Sequence, residues 1–319
     1  MKKKIHFAVL GPGNIAEVVV GAIRNAVDFQ YYAVASRSLE RAESFKNRHG
    51  FVKAYGSYEA LYQDDKIDLV YIATPHAFHY EQMKQCIIHG KHVICEKPFT
   101  INAGQAEEIF DLANKYDVLV TEALMTAFMP SQKLIKELLS NEIGTPISYK
   151  GVFGANLIHV ERLVKKSLGG GALLDIGIYP LFFAVSMFGK DFEIKNIQIT
   201  SYHDVDATTS FELHYSNGLI ASIFTTITEN IGCYGEVYGT EGKLYVEDIT
   251  RPSKIMIYDK KGKIKSKIDP VRTTTGYEYE FQSVQDALLN NRRECPERPH
   301  EETLFLMRTM DRILKEMGN

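Results

Sequence analysis

The sequence predicts an α/β protein, with an N-terminal parallel sheet followed by an α+β domain built on a large, mostly antiparallel sheet. The first third of the chain alternates short apolar runs with helical patterns, which is typical of a parallel sheet covered by helices on both faces. Further along, turn signals join consecutive apolar runs, which indicates antiparallel hairpins. A chain of 319 residues has room for roughly two domains, and we place them at residues 1–122 and 123–319.

The elements of the first domain follow from these apolar runs. The predicted strands cover residues 5–10, 32–35, 69–73, 93–95 and 118–121, and the predicted helices cover residues 15–26, 39–49, 58–62, 80–89 and 102–116. We expect right-handed crossovers between the strands. In such a sheet, ligands bind at the edge formed by the carboxyl ends of the strands.

The second domain begins after about residue 122. Its predicted elements are a helix over 132–140, a strand over 147–153, a helix from the triple glycine at 169–171 to about 188, four or more strands between 194 and 268, and helices over 278–290 and 302–317. Glycine-containing turns at 216–218, 239–242 and 259–262 indicate hairpins between the strands.

One predicted strand, 219–228, carries apolar side chains on both faces. Ala221 and Ile223 lie on one face, and Ile220 and Phe224 lie on the other. Helices of the same domain can cover one face, so we expect a partner subunit to cover the other. The alternative is an ordinary strand with scattered apolar side chains at its surface.

Composition excludes several classes of function. The chain has 37 Lys and Arg against 40 Asp and Glu, a net charge of −3, so no basic excess favours nucleic acid or a membrane surface. The four cysteines show no zinc-type spacing, which is typical of reduced thiols in a cytoplasmic protein. The apolar run at 5–10 ends at Gly11-Pro12-Gly13 and is too short for a signal peptide.

A glycine-rich turn follows the first predicted strand and opens the first helix. Gly11, Gly13 and Ala16 form the pattern G-x-G-x-x-A, with Asn14 and Ile15 at the helix start. The glycines allow a tight turn and close backbone approach, and a pyrophosphate can then bind the free N–H groups of the helix. Between a strand and a helix this pattern predicts dinucleotide binding rather than a plain turn.

The residues after the second strand indicate which dinucleotide is bound. NAD sites usually place an acidic residue there for the ribose 2′-hydroxyl, whereas this chain has Ser36 and Arg37. A guanidinium is suited to a 2′-phosphate, so we predict NADP in preference to NAD. The alternative is that Arg37 is a solvated side chain at a strand end.

Two further strand ends carry polar groups at the predicted ligand edge. After the fourth strand we expect Thr74, Pro75 and His79 to line the cofactor site; no carboxylate accompanies the histidines, so we expect no metal there. After the fifth strand, Lys97 follows Glu96 and is placed to orient a reacting hydroxyl or lower its pKa. Alone, a lysine in this position is more often a solvated charge.

Asp175 and Tyr179 lie four residues apart in the helix that follows the triple glycine. On a helix this spacing brings a carboxylate and a phenol to one face. A phenol has an ordinary pKa of about 10, and a nearby cation lowers it enough to make the group a proton carrier. The alternative is a core tyrosine bonded to a helix carboxylate.

Taken together and in order, these motifs resemble the Gfo/Idh/MocA-type oxidoreductases. The motifs are the G-x-G-x-x-A turn, the Ser36-Arg37 pair, the segment from Thr74 to His79, Glu96-Lys97-Pro98 and the glycine-led helix with Asp175 and Tyr179. Residues 169–180 are especially similar to the branch of NADP-dependent dimeric dihydrodiol dehydrogenases and D-xylose dehydrogenases. The resemblance spans nearly the whole chain.

The resemblance implies a Rossmann domain, a C-terminal domain whose open-faced sheet forms dimers or dimers of dimers, and hydride transfer between NAD(P) and a sugar, polyol or cyclic diol. It implies that Lys97, Asp175 and Tyr179 are catalytic, that Arg37 contacts the 2′-phosphate and that Glu96 lies at the nicotinamide ribose. Where members of this branch often carry a tryptophan and an arginine, this chain has a smaller, less polar stretch that includes Met125 and Ala127.

Two classes of function remain open from the sequence. The first is an NADP-dependent oxidoreductase in which Tyr179 carries the proton of the substrate hydroxyl and Lys97 and Asp175 tune that phenol. The second is a dinucleotide-binding sensor or co-repressor of the same fold that does not turn the dinucleotide over. The intact set of acid–base residues favours the enzyme.

Overall fold

The computed structural model describes residues 4–270 and 275–318, which pack into two units. The first unit contains the described residues of 4–128 together with 275–307, and the second contains 129–270 and 308–318. The predicted division at residue 122 follows chain order alone, whereas the packing also places a C-terminal segment in the first unit. No sequence pattern signalled that return.

The first unit is a parallel sheet with helices around it. Its strands are β1 (Ile5–Leu10), β2 (Phe29–Ala35), β3 (Lys53–Tyr55), β4 (Leu69–Ile72), β5 (His92–Glu96) and β6 (Val120–Ala123), in the order β3-β2-β1-β4-β5-β6. Its helices are α1 (Asn14–Ile23), α2 (Leu39–His49), α3 (Tyr58–Tyr62), α4 (His79–Ile88), α5 (Ala103–Tyr116), α6 (Met125–Phe128) and α9 (Tyr277–Leu289). The order reverses between β1 and β4, and ligands of such sheets bind at that point.

The apolar runs of the sequence form the middle of this sheet, as predicted. All four residues of β4 are fully buried, and α9 returns to the sheet through Phe281, whose ring contacts Phe7 and Tyr71 with centroids 5.9 and 5.4 Å apart. The short strand β3 was not predicted, because its polar sequence gives no apolar run. Helices α2, α3 and α5 start at side-chain caps; for example, Ser38 accepts the N–H of Arg41 at the start of α2.

The second unit is an eight-stranded, mostly antiparallel sheet. Its strands are β7 (Pro146–Gly154), β8 (Phe192–Tyr202), β9 (Val205–Tyr215), β10 (Ile220–Thr226), β11 (Gly232–Gly239), β12 (Gly242–Glu247), β13 (Lys254–Asp259) and β14 (Ile264–Ile268), in the order β14-β13-β12-β11-β7-β10-β9-β8. Among the described strands of this second sheet, only the pair of β7 and β10 is parallel. Helices α7 (Ser131–Glu142) and α8 (Ile178–Phe188) belong to this unit, and α10 (His300–Leu314) has residues in both units.

A single apolar helical stretch runs through the second unit. Residues 166–188 are long and apolar enough to cross a membrane by length and composition, with a mean hydropathy of 1.7 in the most apolar window. Because 78% of that window is buried inside the protein, the stretch is explained as a core element. It consists of a short 3₁₀ turn, the triple glycine, a π-helical turn over Leu173–Gly177 and then α8.

The two faces of β10 differ as the alternation in its sequence predicted. Ala221 and Ile223 are buried against the unit's own helical layer, whereas Ile220 and Phe224 are each 38% exposed on the other face. The sheet is therefore covered on one side and open on the other. The predicted fold class, with its open-faced second sheet, is confirmed.

Candidate active site

The G-x-G-x-x-A turn joins β1 to α1 in the conformation that glycine makes possible. Gly11 has a φ of +91°, and a Cβ there would lie 2.7 Å from Cγ2 of Thr74, so no larger residue fits this close approach. A Cβ at Gly13 would meet nothing within 4 Å, which leaves open space over the start of α1. The first N–H groups of α1, which include those of Asn14 and Ile15, have no partner within the helix and are suited to a phosphate.

The predicted cofactor residues around this turn line one pocket of about 440 Å³. They are Gly11, Gly13, Ser36, Arg37, Thr74 and Pro75. The pocket also contains Arg41 and Tyr58, which sequence reasoning missed. The available signal for Arg41 was its position four residues after Arg37, in the first turn of α2 behind the Ser38 cap.

Both guanidinium groups of this pocket act on one phenol. Arg37, Arg41 and Tyr58 line the same pocket; burial raises the pKa of Tyr58, while the charges of Arg37 and Arg41 act to lower it. A second cavity of about 320 Å³ shares Arg37, Tyr58 and Pro75 and adds the exposed ring of Phe78. Two cations beside a cavity with flat apolar walls fit a phosphorylated ribose and a purine, so the residues present fit NADP.

His79 lies behind this pocket and is fully buried. Its Nδ1 is 3.0 Å from the carbonyl oxygen of Pro98, and its Nε2 is 2.8 Å from that of Thr74. Burial lowers the pKa of His79, and the two carbonyl contacts and the charge of Glu122 oppose that shift. The imidazole therefore joins the loop after β4 to the turn after β5, and its role in cofactor binding stays a prediction.

The turn after β5 is held from several sides. The Tyr71 hydroxyl donates to Oε1 of Glu96 at 2.5 Å, and the N–H of Phe99 donates to Oε1 of Glu122 at 3.0 Å. Glu122 is itself fixed by the buried guanidinium of Arg298, whose Nε is 2.9 Å from Oε2. Lys97 lies between these fixed points, half-buried, and its bond to Pro98 is cis.

The predicted acid–base pair of the second unit lies where the triple glycine ends. Asp175, 3% exposed, is in the π-helical turn, and Nη1 of Arg162 lies 3.0 Å from its Oδ1. Tyr179 is half-buried in the first turn of α8, with its ring 5.8 Å from that of Phe153. Sequence reasoning missed Arg162, because nothing in its local pattern distinguishes it from a surface arginine.

The predicted catalytic residues are divided between the units. Lys97 belongs to the first unit, and Asp175 and Tyr179 belong to the second. Within 4–270 and 275–318, no group of three or more His, Cys, Asp or Glu side chains is placed to hold a metal ion.

Two family models match the chain over most of its length. One, described as "Oxidoreductase family, NAD-binding Rossmann fold", matches residues 5–124, and the other, "GFO/IDH/MocA C-terminal domain", matches residues 132–245. The chain belongs to the Gfo/Idh/MocA family of oxidoreductases. The resemblance inferred from its motifs is thereby confirmed.

Curated members of this family cover the whole chain. The chain is 33% identical to the trans-1,2-dihydrobenzene-1,2-diol dehydrogenase of Xenopus tropicalis, with 98% of each chain covered. It is 30% identical to scyllo-inositol 2-dehydrogenase (NADP(+)) IolU of Bacillus subtilis (strain 168), which covers 98% of this chain and 97% of that protein. These relatives match the branch of the family that residues 169–180 indicated.

Solved structures of the family share the fold. KijD10, a 3-ketoreductase from Actinomadura kijaniata solved in complex with NADP and TDP-benzene, is 25% identical, with a TM-score of 0.88 and coverage of 97% of this chain and 96% of that chain. The aldose-aldose oxidoreductase from Caulobacter crescentus, at 19% identity, has a TM-score of 0.88 and covers 99% of both chains. This second likeness concerns the fold alone.

Proposed function

We propose that the chain is an NADP-dependent oxidoreductase that transfers a hydride between the nicotinamide and a CH–OH carbon of a sugar, polyol or cyclic diol. Membership of an oxidoreductase family supports the reaction class, and the relatives named for a diol and an inositol support the substrate class. The observation that carries the cofactor choice is the pair of guanidinium groups, Arg37 and Arg41, in the pocket opened by the glycine turn.

The proposed chemistry divides into a hydride step and a proton step. Bound NADP(H) supplies or accepts the hydride. Tyr179 takes the proton of the substrate hydroxyl in oxidation and returns it in reduction. Lys97 contributes the positive charge that stabilises the phenolate, and Asp175, held by Arg162, orients the groups around the phenol.

Glu96 and His79 support this chemistry from the first unit. Glu96, hydrogen-bonded to Tyr71, is proposed to face the ribose of the nicotinamide half. Through its contacts to Thr74 and Pro98, His79 is proposed to hold the cofactor loop and the Lys97 turn in register. Asn14 and Ile15 are proposed to bind the pyrophosphate through their backbone N–H groups.

The chain is also proposed to form a homodimer, or a dimer of dimers, through the open face of the second sheet. Exposed Ile220 and Phe224 support this assignment, because apolar side chains on an otherwise covered strand favour a second layer. We propose a cytoplasmic location; the four cysteines are free thiols, as expected in a reducing compartment.

A substrate panel tests the function directly. Sugars, inositols and cyclic diols are assayed by NADPH absorbance in both directions, with NADH and NAD as the matched cofactors. We expect turnover with at least one panel member and preference for the phosphorylated cofactor. Tight NADPH binding without turnover on any panel member would favour the sensor instead.

A further inference from the structure

Asp206, near the start of β9, makes contacts that the proposed chemistry does not use. Its side chain is 2% exposed. Oδ2 accepts the backbone N–H of Leu173 at 2.7 Å and the hydroxyl of Thr209 at 2.8 Å. Leu173 is the first residue of the π-helical turn that contains Asp175. We propose that Asp206 is a positioning residue, which fixes the start of the segment that presents Asp175 and Tyr179; this proposal rests on the proposed function.

The triple glycine is shaped around this carboxylate. Gly171 has a φ of +124°, and a Cβ at that position would collide with Oδ1 of Asp206. A Cβ at Gly170 would lie 2.5 Å from the carbonyl oxygen of Leu163, which also accepts the N–H of Gly171 at 3.0 Å. The glycines are therefore needed because the carboxylate and the neighbouring backbone occupy the space of their side chains.

Apolar packing and the carboxylate fix the same segment in different ways. Ala172 and Ile176 pack with Ala207, the neighbour of Asp206, in a buried cluster. Apolar contacts are not directional, so they hold the segment against the sheet without selecting its rotation. The carboxylate accepts specific N–H groups at a helix start, where a negative charge is also favoured, and so defines which way Asp175 and Tyr179 face.

The charge state of Asp206 depends on the same contacts. Burial raises the pKa of this carboxyl to about 6, although the N–H groups of Leu173 and Ala172 and the Thr209 hydroxyl all act to lower it. The π-helical turn that starts at Leu173 also carries Asp175, whose carboxylate is paired with Arg162. Below about pH 6 the protonated acid loses acceptor capacity toward these donors, so the start of the segment is less firmly held in acid.

The test compares Asp206→Asn with Asp204→Asn, an exposed carboxylate two residues away on the same segment. Both full-length variants are assayed with NADPH and the panel compound of highest turnover. We expect Asp206→Asn to lose 10- to 100-fold in kcat, with NADPH affinity and the control within twofold of wild type.

We expect Thr209→Val, which removes one donor, to move the acid limb of the kcat profile to higher pH, and Asp206→Asn to lack that limb.

Hydrogen exchange provides a readout that needs no substrate. In Asp206→Asn, peptides covering residues 169–180 are expected to exchange at least tenfold faster, while peptides covering residues 11–16 of the cofactor turn stay unchanged. Wild-type kcat and wild-type exchange in Asp206→Asn would overturn the proposal, as would faster exchange throughout both units. A wild-type protein inactive on the whole panel would refute the proposed function. The exchange data would then decide by themselves whether Asp206 fixes the start of the π-helical turn.

Discussion

The two sheets of the molecule differ in what covers them. In the first unit, every residue of β4 is fully buried, because helices lie on both faces of a parallel sheet. In the second unit, β10 alternates between buried residues such as Ala221 and residues such as Phe224 that are 38% exposed. Only the edge of the first sheet is open to a ligand, whereas the second sheet leaves a whole face uncovered.

The same difference separates the proposed functional groups. In the first unit they follow the ends of strands, as Arg37 follows β2 and Lys97 follows β5. In the second, Asp175 and Tyr179 lie at the start of a helix packed on the covered face of the sheet. In the proposed mechanism, cofactor affinity and proton transfer therefore depend on separate frameworks, so most substitutions should change one and leave the other.

Lys97 is the exception to this division, since it lies in the first unit but is proposed to act on the proton step. Lys97→Ala should lower kcat by roughly 10²–10⁴-fold, the usual size of acid–base catalysis. Groups that act as a unit are not additive, so adding Tyr179→Phe should lower kcat little further. Steady-state assays compare both variants with Lys66→Ala, an exposed lysine of the same unit. Fully additive losses would show that the two groups act independently.

A buried ion pair between Arg298 and Glu122 lies within the first unit. Arg298 and Glu122 are each 1% exposed, and Arg298→Met leaves the carboxylate buried without its cation. We expect a loss of about 3–5 kcal/mol in the free energy of unfolding, measured in urea. The matched control is Arg293→Met, whose partner Asp117 is mostly exposed, so solvent screens that pair and we expect a much smaller loss. Equal losses would contradict the assignment of Glu122 as a fixed point of the Lys97 turn.

Arg37→Ala tests the proposed cofactor site of the first unit. The loss of one charged hydrogen bond, about 1.5–3 kcal/mol, corresponds to an NADPH dissociation constant raised roughly 10- to 100-fold. NADH has no 2′-phosphate, so its dissociation constant should stay unchanged, as should kcat at saturating NADPH. Fluorescence titration measures both constants, and an NADPH affinity equal to wild type would show that Arg37 is a solvated side chain.

Phe224→Glu tests the open face. In a symmetric dimer, burial of the exposed parts of the two Phe224 rings contributes about 1–2 kcal/mol to association. Without that burial, the variant dimer should dissociate at a concentration roughly tenfold higher than wild type, or higher still. Sedimentation velocity measures this, with Val52→Glu, exposed in the first unit, as the control. A wild-type monomer, or a variant dimer as tight as wild type, would exclude this surface.

The sequence predicted the parts of this structure that depend on local pattern. The G-x-G-x-x-A turn, the apolar strands and the alternating faces of β10 each follow from residues close together in the chain. Arg162 and Asp206 could not be predicted, because their partners Asp175 and Leu173 lie 13 and 33 residues away. The C-terminal segment of the first unit was missed for the same reason, since Arg298 reaches Glu122 across 176 residues.

In the proposed mechanism, Tyr179 carries the proton while a separate framework binds the cofactor. The most direct measurement is kcat of Tyr179→Phe on the panel substrate at saturating NADPH. The substitution removes only the phenolic oxygen, so the ring packing against Phe153 and the NADPH pocket of the first unit should survive. We predict a kcat lower by roughly 10²–10⁴-fold. A near-normal kcat would contradict the account and place the proton carrier elsewhere.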